Sequence, residues 1–303
     1  MNQSCGLLVL GAHRCGTSML AGLLALHGAF TGQTLPPGRH NPKGYWEHMG
    51  INEANENMLA HLQISWDWPF VLPLRWQERL TPFEPLRAQA LAPFQGQRLW
   101  AVKDPRLCRL LPSWLPLFAR LGQTLRAVVV FRHPEGACRS LETRNAMGRR
   151  RALAVWLHHF VDAVTYLRDV PWAAVEYERM LADPVQGIHS LAEGLKLDPW
   201  PQTPSDEALR EFVDPKLCHH PPAAPQSDEW LETSCYALYG ALKARHLRGP
   251  DEMLTQYAAR LRAQLGEGYG LNLQLIHEVY AEIPPLRAYK ISVDLALARN
   301  TNE

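Results

Sequence analysis

Neither sign of charge dominates this chain: 31 Lys and Arg against 30 Asp and Glu leave a formal net charge of +1. A non-specific nucleic-acid binder advertises itself by strong positive charge, so that class is set aside. The six cysteines (Cys5, Cys15, Cys108, Cys138, Cys218 and Cys235) include no C-x-x-C pair. That spacing argues against a disulfide framework or a zinc site, and for free thiols in a reducing compartment. No stretch approaches 18 uninterrupted apolar residues, and no basic segment leads into a long apolar core near Met1. Neither a membrane span nor a signal peptide is expected, and the chain reads as soluble and cytoplasmic. Internal repeats and low-complexity tracts are lacking too.

What remains is an ordinary globular composition, 47% apolar and 20% charged over 303 residues. That length suits one large α/β domain with a small helical appendage. Residues 5–10 are a short continuous apolar run that stops at Gly11, the pattern of a strand buried on both faces. From Thr17 the residues Met19, Leu20, Leu23, Leu24 and Leu26 form a helical stripe that Gly28 can end. Strand-like runs recur at 99–102, 125–131 and 173–177. The helical spacing of Leu107, Leu110, Leu111, Trp114, Leu115 and Phe118 follows the run at 99–102. Pro112 and Pro116 are expected to break or restart that helix. Pro134 suits the first turn of another, and a long helix is expected over about 152–169.

Strands alternating with helices predict an α/β three-layer sandwich with a central, mainly parallel sheet of the P-loop NTPase-like kind. Residues 1–215 are expected to form this core, with 216–303 a helical C-terminal extension packed on it. The proline-rich run 219–225 reads as a connector. Two amphipathic helices should follow, one opening at Ser227 and one with Pro250 in its first turn and Gly266 at its end. In such sheets ligands sit at the carboxyl ends of the strands. Three of the four strands end there in basic sequence: His13-Arg14, Lys103-Asp104-Pro105-Arg106 and Arg132-His133.

Residues 11–18, Gly-Ala-His-Arg-Cys-Gly-Thr-Ser, fit the frame of a nucleotide-triphosphate loop except that Thr17 stands where lysine is required. Glycines let backbone N–H groups turn inward, and the following helix presents its positive end to an anion. The lysine is replaced by a guanidinium inside the loop, Arg14. The loop suits one phosphate plus a nearby transferable group, without a metal. Arg14-Cys15-Gly16-Thr17-Ser18 resembles the 5′-phosphosulfate loop of the sulfotransferases that use 3′-phosphoadenosine 5′-phosphosulfate (PAPS), where Lys/Arg-Ser-Gly-Thr-Ser/Thr follows the first strand. Cys15 departs from that pattern by removing a hydroxyl.

Arg132 closes the strongest strand and Ser140 follows eight residues on. The family uses an arginine and a serine at this spacing to bind the 3′-phosphate of the cofactor. Residues 41–47, 103–107, 175–178 and 181–184 also resemble a bacterial branch, so the likeness spans most of the first 220 residues. The C-terminal Arg-Lys-Gly segment of the best-known members is not found. Arg144, the Arg149-Arg150-Arg151 run or the His219-His220 pair are the candidates for its contact, beside the plainer reading of a solvated basic surface or connector.

The resemblance implies sulfuryl transfer from PAPS to a hydroxyl or amine of a small-molecule or glycan acceptor, with no metal, no nucleic-acid partner and no stable membrane insertion. Positioning and electrostatics should dominate such a step. Arg14, Cys15, Gly16, Thr17, Ser18, Arg132 and Ser140 are the expected cofactor-binding residues, and Arg14, Glu47 and Lys103 the expected catalytic ones. Lys103 is read as a second cation or as the ion-pair partner of Asp104. Glu47 is the candidate base, with His48 and Asp104 as competitors. Trp46, Trp66 and Trp68 are expected to line the acceptor cleft. Two other readings stay open: a P-loop kinase or nucleotide triphosphatase, and a non-catalytic nucleotide-binding protein of the same fold.

Overall fold

A computed structural model of the chain describes residues 4–39, 41–197, 200–213, 227 and 229–268. Strand β1 (Cys5–Leu10) is buried along its whole length and leads into helix α1 (Thr17–Leu26). Helices α2 (Met49–His61), α3 (Trp76–Arg79) and α4 (Glu84–Leu91) precede strand β2 (Leu99–Lys103). Then come helix α5 (Leu107–Arg120), strand β3 (Thr124–Phe131) and helices α6 (Pro134–Asn145) and α7 (Arg149–Tyr166). Strand β4 (Trp172–Glu176) is followed by α8 (Tyr177–Ala182), α9 (Pro184–Leu195), α10 (Asp206–Phe212), α11 (Trp230–Lys243) and α12 (Glu252–Gly266).

The four strands form one parallel sheet in the order β2-β1-β3-β4. Successive side chains of a strand point to opposite faces, and here both faces are apolar. Val128 and Val130 meet Leu20, Leu23 and Leu24 of α1 and Ile188 and Leu191 of α9 on one side. Ala127, Val129 and Phe131 meet α5, α7 and α11 on the other. The result is the three-layer α/β sandwich expected, built around strands that had to be continuously apolar because neither face sees water.

Several boundaries differ from expectation. Pro112 and Pro116 do not break α5, which runs without interruption through both. The half-buried Pro112 and the exposed Pro116 lie four residues apart, away from the core. Leu107, Leu110, Leu111, Trp114, Leu117 and Phe118 are buried on the other side. Six large apolar side chains at about 1.5–3 kcal/mol each outweigh a cost of about 3 kcal/mol per proline. Strand β4 ends at Glu176 because Tyr177 opens α8. Helix α11 starts at Trp230 rather than Ser227, whose hydroxyl instead donates to Glu232 Oε2 at 2.7 Å. Helix α12 is capped by Asp251, which accepts from Leu254 N at 2.8 Å, so Pro250 lies before the helix. Both helices join the core cluster that α7 forms. The boundary at 215/216, the connector 219–225, Cys218 and the His219-His220 pair lie outside the described residues.

No helix among the described residues is long and apolar enough to cross a membrane. The described cysteines are free and buried.

Candidate functional site

The parallel register brings the carboxyl ends of β1, β2 and β3 side by side, with Val9 opposite Lys103 and Leu10 opposite Val129. The first loop leaves β1 through Gly11 (φ 154°) and passes Arg14 (φ 67°) to Gly16 (φ 89°). A side chain at Gly16 would start 2.2 Å from Tyr177 Cδ2, so glycine is needed both for the backbone angle and for that ring. Gly16 stands at the N-terminus of α1, whose first-turn N–H groups have no intrahelical acceptor. Cys15 is wholly buried, and burial pushes its thiol up to about 12, so it stays protonated.

Two clusters of cations flank this loop. In the first, Arg14 Nε donates to Ser140 Oγ at 2.8 Å, and Arg132 Nη1 donates to the Arg14 carbonyl at 3.3 Å. The Arg132 guanidinium lies over the Tyr177 ring, 4.9 Å from its centroid, and 3.8 Å from Glu178 Oε1. Burial first, then the charges of Arg144 and Arg132, lower the Arg14 guanidinium from its ordinary value. Arg14, Arg132, Arg144 and Ser140 therefore share one end of the sheet, with arginines that repel one another. Arg149 pairs with Glu135 at 2.9 Å and Glu232 at 2.6 Å, Arg150 with Glu229 at 2.6 Å, and Arg151 with Asp67 at 2.7 Å. Of the described arginines named as substitutes for the missing C-terminal segment, Arg144 is thus the one whose charge reaches Arg14.

In the second cluster each cation meets a carboxylate. Lys103 does not pair with its neighbour Asp104. Its Nζ donates to Glu47 Oε1 at 2.6 Å and to the Tyr45 carbonyl at 3.0 Å. The same carbonyl accepts from Ser18 Oγ at 3.1 Å, which ties the second cluster to the loop. Asp104 Oδ1 accepts from Arg106 N at 2.9 Å and from Arg106 Nη1 at 3.0 Å. Asn52 Nδ2 donates to Glu47 Oε2 at 2.8 Å. Burial alone would raise the Glu47 carboxyl, but Lys103 and Arg106 outweigh it and hold it below the usual range. Asp104 is fully buried, which lifts its carboxyl despite Arg106. His48 is the N-cap of α2, its Nδ1 accepting from Ile51 N at 3.3 Å.

The three tryptophans expected in one cleft divide between two places: Trp66 and Trp68 line one small cavity beside Arg106 and Arg109, and Trp46 lines another. Trp66 lies against the His13 ring, with centroids 4.1 Å apart. Trp46 borders a cavity of about 60 Å³ beside Ser18, Lys43, Tyr177 and Phe212. Trp68 is 9% exposed and packs edge-on against Phe70 at 5.0 Å. Tyr177 and His13 are contributors whose roles sequence reasoning did not assign, although Tyr177 follows a strand end just as the other site residues do. Among the described residues, no group of three or more His, Cys, Asp and Glu side chains converges as a metal site.

No protein-family description and no curated protein matches the chain. Solved structures similar to it include two bacterial domains. The sulfotransferase domain from the curacin biosynthetic pathway is 15% identical, covering 87% of this chain and 99% of its own, with a TM-score of 0.40. The sulfotransferase domain from the Synechococcus PCC 7002 olefin synthase is 18% identical, covering 86% of this chain and 95% of its own, with a TM-score of 0.43. Both are described as sulfotransferase domains.

Proposed function

We propose that the chain transfers a sulfuryl group from PAPS to a hydroxyl or amine of a small-molecule or glycan acceptor. One observation carries the reading: Arg14, Arg132, Arg144 and Ser140 meet at one end of the sheet, beside the N-terminus of α1. Mutually repelling guanidinium groups around a hydroxyl make an anion site in which a bound phosphate would relieve the repulsion. Arg132 and Ser140 would take the 3′-phosphate. Arg14, Gly16, Thr17, Ser18 and the first-turn N–H groups of α1 would hold the 5′-phosphosulfate, with Cys15 as a packing residue of the loop.

The acceptor oxygen attacks sulfur while the sulfur–oxygen bond to the 5′-phosphate breaks, and 3′,5′-ADP leaves with the electron pair. Charge on the departing phosphate and on the transferring oxygens is stabilised by Arg14 and Lys103, the latter aimed by Glu47. Glu47 and Asp104, the carboxylates beside the end of β2, are already engaged by Lys103 and Arg106. In this reading protein cations occupy the position that a divalent ion holds in a nucleotide triphosphatase.

Thermal unfolding with added nucleotide tests the proposal. A ligand at 100 times its dissociation constant stabilises a fold by about 2.7 kcal/mol. 3′,5′-ADP should do so equally with and without Mg²⁺, and Arg132→Glu should abolish the effect while leaving the apo protein folded. Stabilisation by Mg-ATP alone would overturn the reading in favour of a kinase. Full-strength binding to Arg132→Glu would overturn the 3′-phosphate assignment.

A further inference from the structure

Between the two cationic clusters stand two imidazoles that neither of them uses. His13 Nε2 and His159 Nε2 are both buried without a hydrogen-bond partner among the described residues. A buried polar atom left in that state is costly unless something else comes to meet it. The two rings meet edge-on, with centroids 6.0 Å apart and planes at 80°. His159 Nδ1 lies 2.7 Å from the Val155 carbonyl oxygen, which can only accept. Its proton is therefore on Nδ1, and in the neutral ring Nε2 is a bare lone pair. His13 precedes Arg14 in the loop, and its other ring contact is Trp66 at 4.1 Å.

We infer that His13 is the base that takes the acceptor's proton, and that His159 is a positioning residue that steadies the imidazolium so formed. The inference rests on the sulfuryl-transfer reading and deepens it. As the acceptor oxygen bonds to sulfur and the bond to the 5′-phosphate breaks, the acceptor's proton moves to His13 Nε2. The electron pair of the broken bond leaves on 3′,5′-ADP. The neutral His159 ring stands edge-on to the new imidazolium with its Nε2 lone pair unused, and the Trp66 ring packs against His13. An acceptor with a flat or ring-shaped body would lie against that indole.

The competing bases are engaged elsewhere. Glu47 accepts from Lys103 and Asn52, His48 caps α2, and Asp104 is enclosed behind Arg106. Burial first, then the charges of Arg106, His159, Lys103 and Arg144, hold His13 well below its ordinary value. It is therefore neutral at pH 7 in the free protein. These neighbours come from the turn after β2, from α7, from β2 and from α6, and Trp66 adds no charge. The phosphates and sulfate of PAPS would offset the cations and raise His13 toward the range in which a base is effective. Burial and Arg109 hold His159 at about 3, so it remains neutral throughout.

Imidazole ¹⁵N–¹H spectra of the full chain, titrated from pH 5 to 8 with and without 3′,5′-ADP, test this, with His13→Gln identifying the His13 signal. 3′,5′-ADP should raise the His13 midpoint by about one pH unit or more, and His159→Ala should reduce that rise. His13→Gln should still bind 3′,5′-ADP as the wild type does. Release of 3′,5′-ADP from PAPS, with water as the acceptor, should fall about 10²–10⁴-fold in His13→Ala at unchanged KM for PAPS, with partial recovery in added imidazole. The inference fails if 3′,5′-ADP binds and the His13 midpoint does not move, or if the His13→Ala rate is unchanged. Failure of the wild type to bind 3′,5′-ADP at all would instead remove the sulfuryl-transfer reading itself.

Discussion

The two cationic clusters at the strand ends differ in what neutralises them. Lys103 and Arg106 are buried with Glu47 and Asp104 in a network where each charge answers another. Arg14, Arg132 and Arg144 press on one another around Ser140. A balanced cluster holds the fold in addition to any ligand, because removing a member strands an opposite charge in a poorly solvated place. In the proposed reading the crowded one is the receptor, because a bound anion would relieve the repulsion among its arginines. The same residue types at the same edge of one sheet thus stand in two different electrostatic settings.

Breaking the balanced cluster should have the largest effect. Lys103→Met leaves Glu47, 6% exposed, without its main counter-charge. The expected loss is about 3–5 kcal/mol in urea unfolding, with part of it recovered by adding Glu47→Gln. A mild loss would mean that the two clusters do not differ in kind.

Acidification probes the neutral ground between them. An unfolded histidine titrates near 6.5, whereas His159 in the fold titrates at about 3. Between those values the unfolded chain binds one more proton, so stability falls as the pH falls, by about 3 kcal/mol at pH 4 for this group alone. His159→Gln should show a shallower loss between pH 7 and 4 in chemical denaturation.

The smallest effect should have the opposite sign. Arg144→Gln relieves repulsion in the crowded cluster, so the free protein should gain a few tenths of a kcal/mol while its affinity for 3′,5′-ADP falls. Stability and binding moving together in this variant would contradict the distinction.

Much of this site can be read along the chain. Arg14 and Arg132 stand out because each follows a continuous apolar run, and such runs end where a parallel sheet opens to solvent, while Ser140 is singled out by its spacing from Arg132 and by the resemblance. The partner of Lys103 was not. Asp104 is adjacent and Glu47 is 56 residues away, yet the backbone at the end of β2 turns Asp104 toward Arg106 and leaves Lys103 to the segment before α2. The separation of Trp46 from Trp66 and Trp68 was equally hidden, since their common residue type says nothing about the loops that carry them. Helix α5 shows the same limit from another side: local proline chemistry predicted a break, and burial of the opposite face overruled it.

The sequence by itself determined the layers, the phosphate-type loop and the basic strand ends, because burial on both faces and glycine geometry are local requirements that leave a local pattern. Only the tertiary structure decided which carboxylate meets Lys103, which arginines crowd together and which histidines keep a nitrogen without a partner. Charges act through space rather than along the chain, and a few ångströms of approach between distant segments reverse their sign of effect.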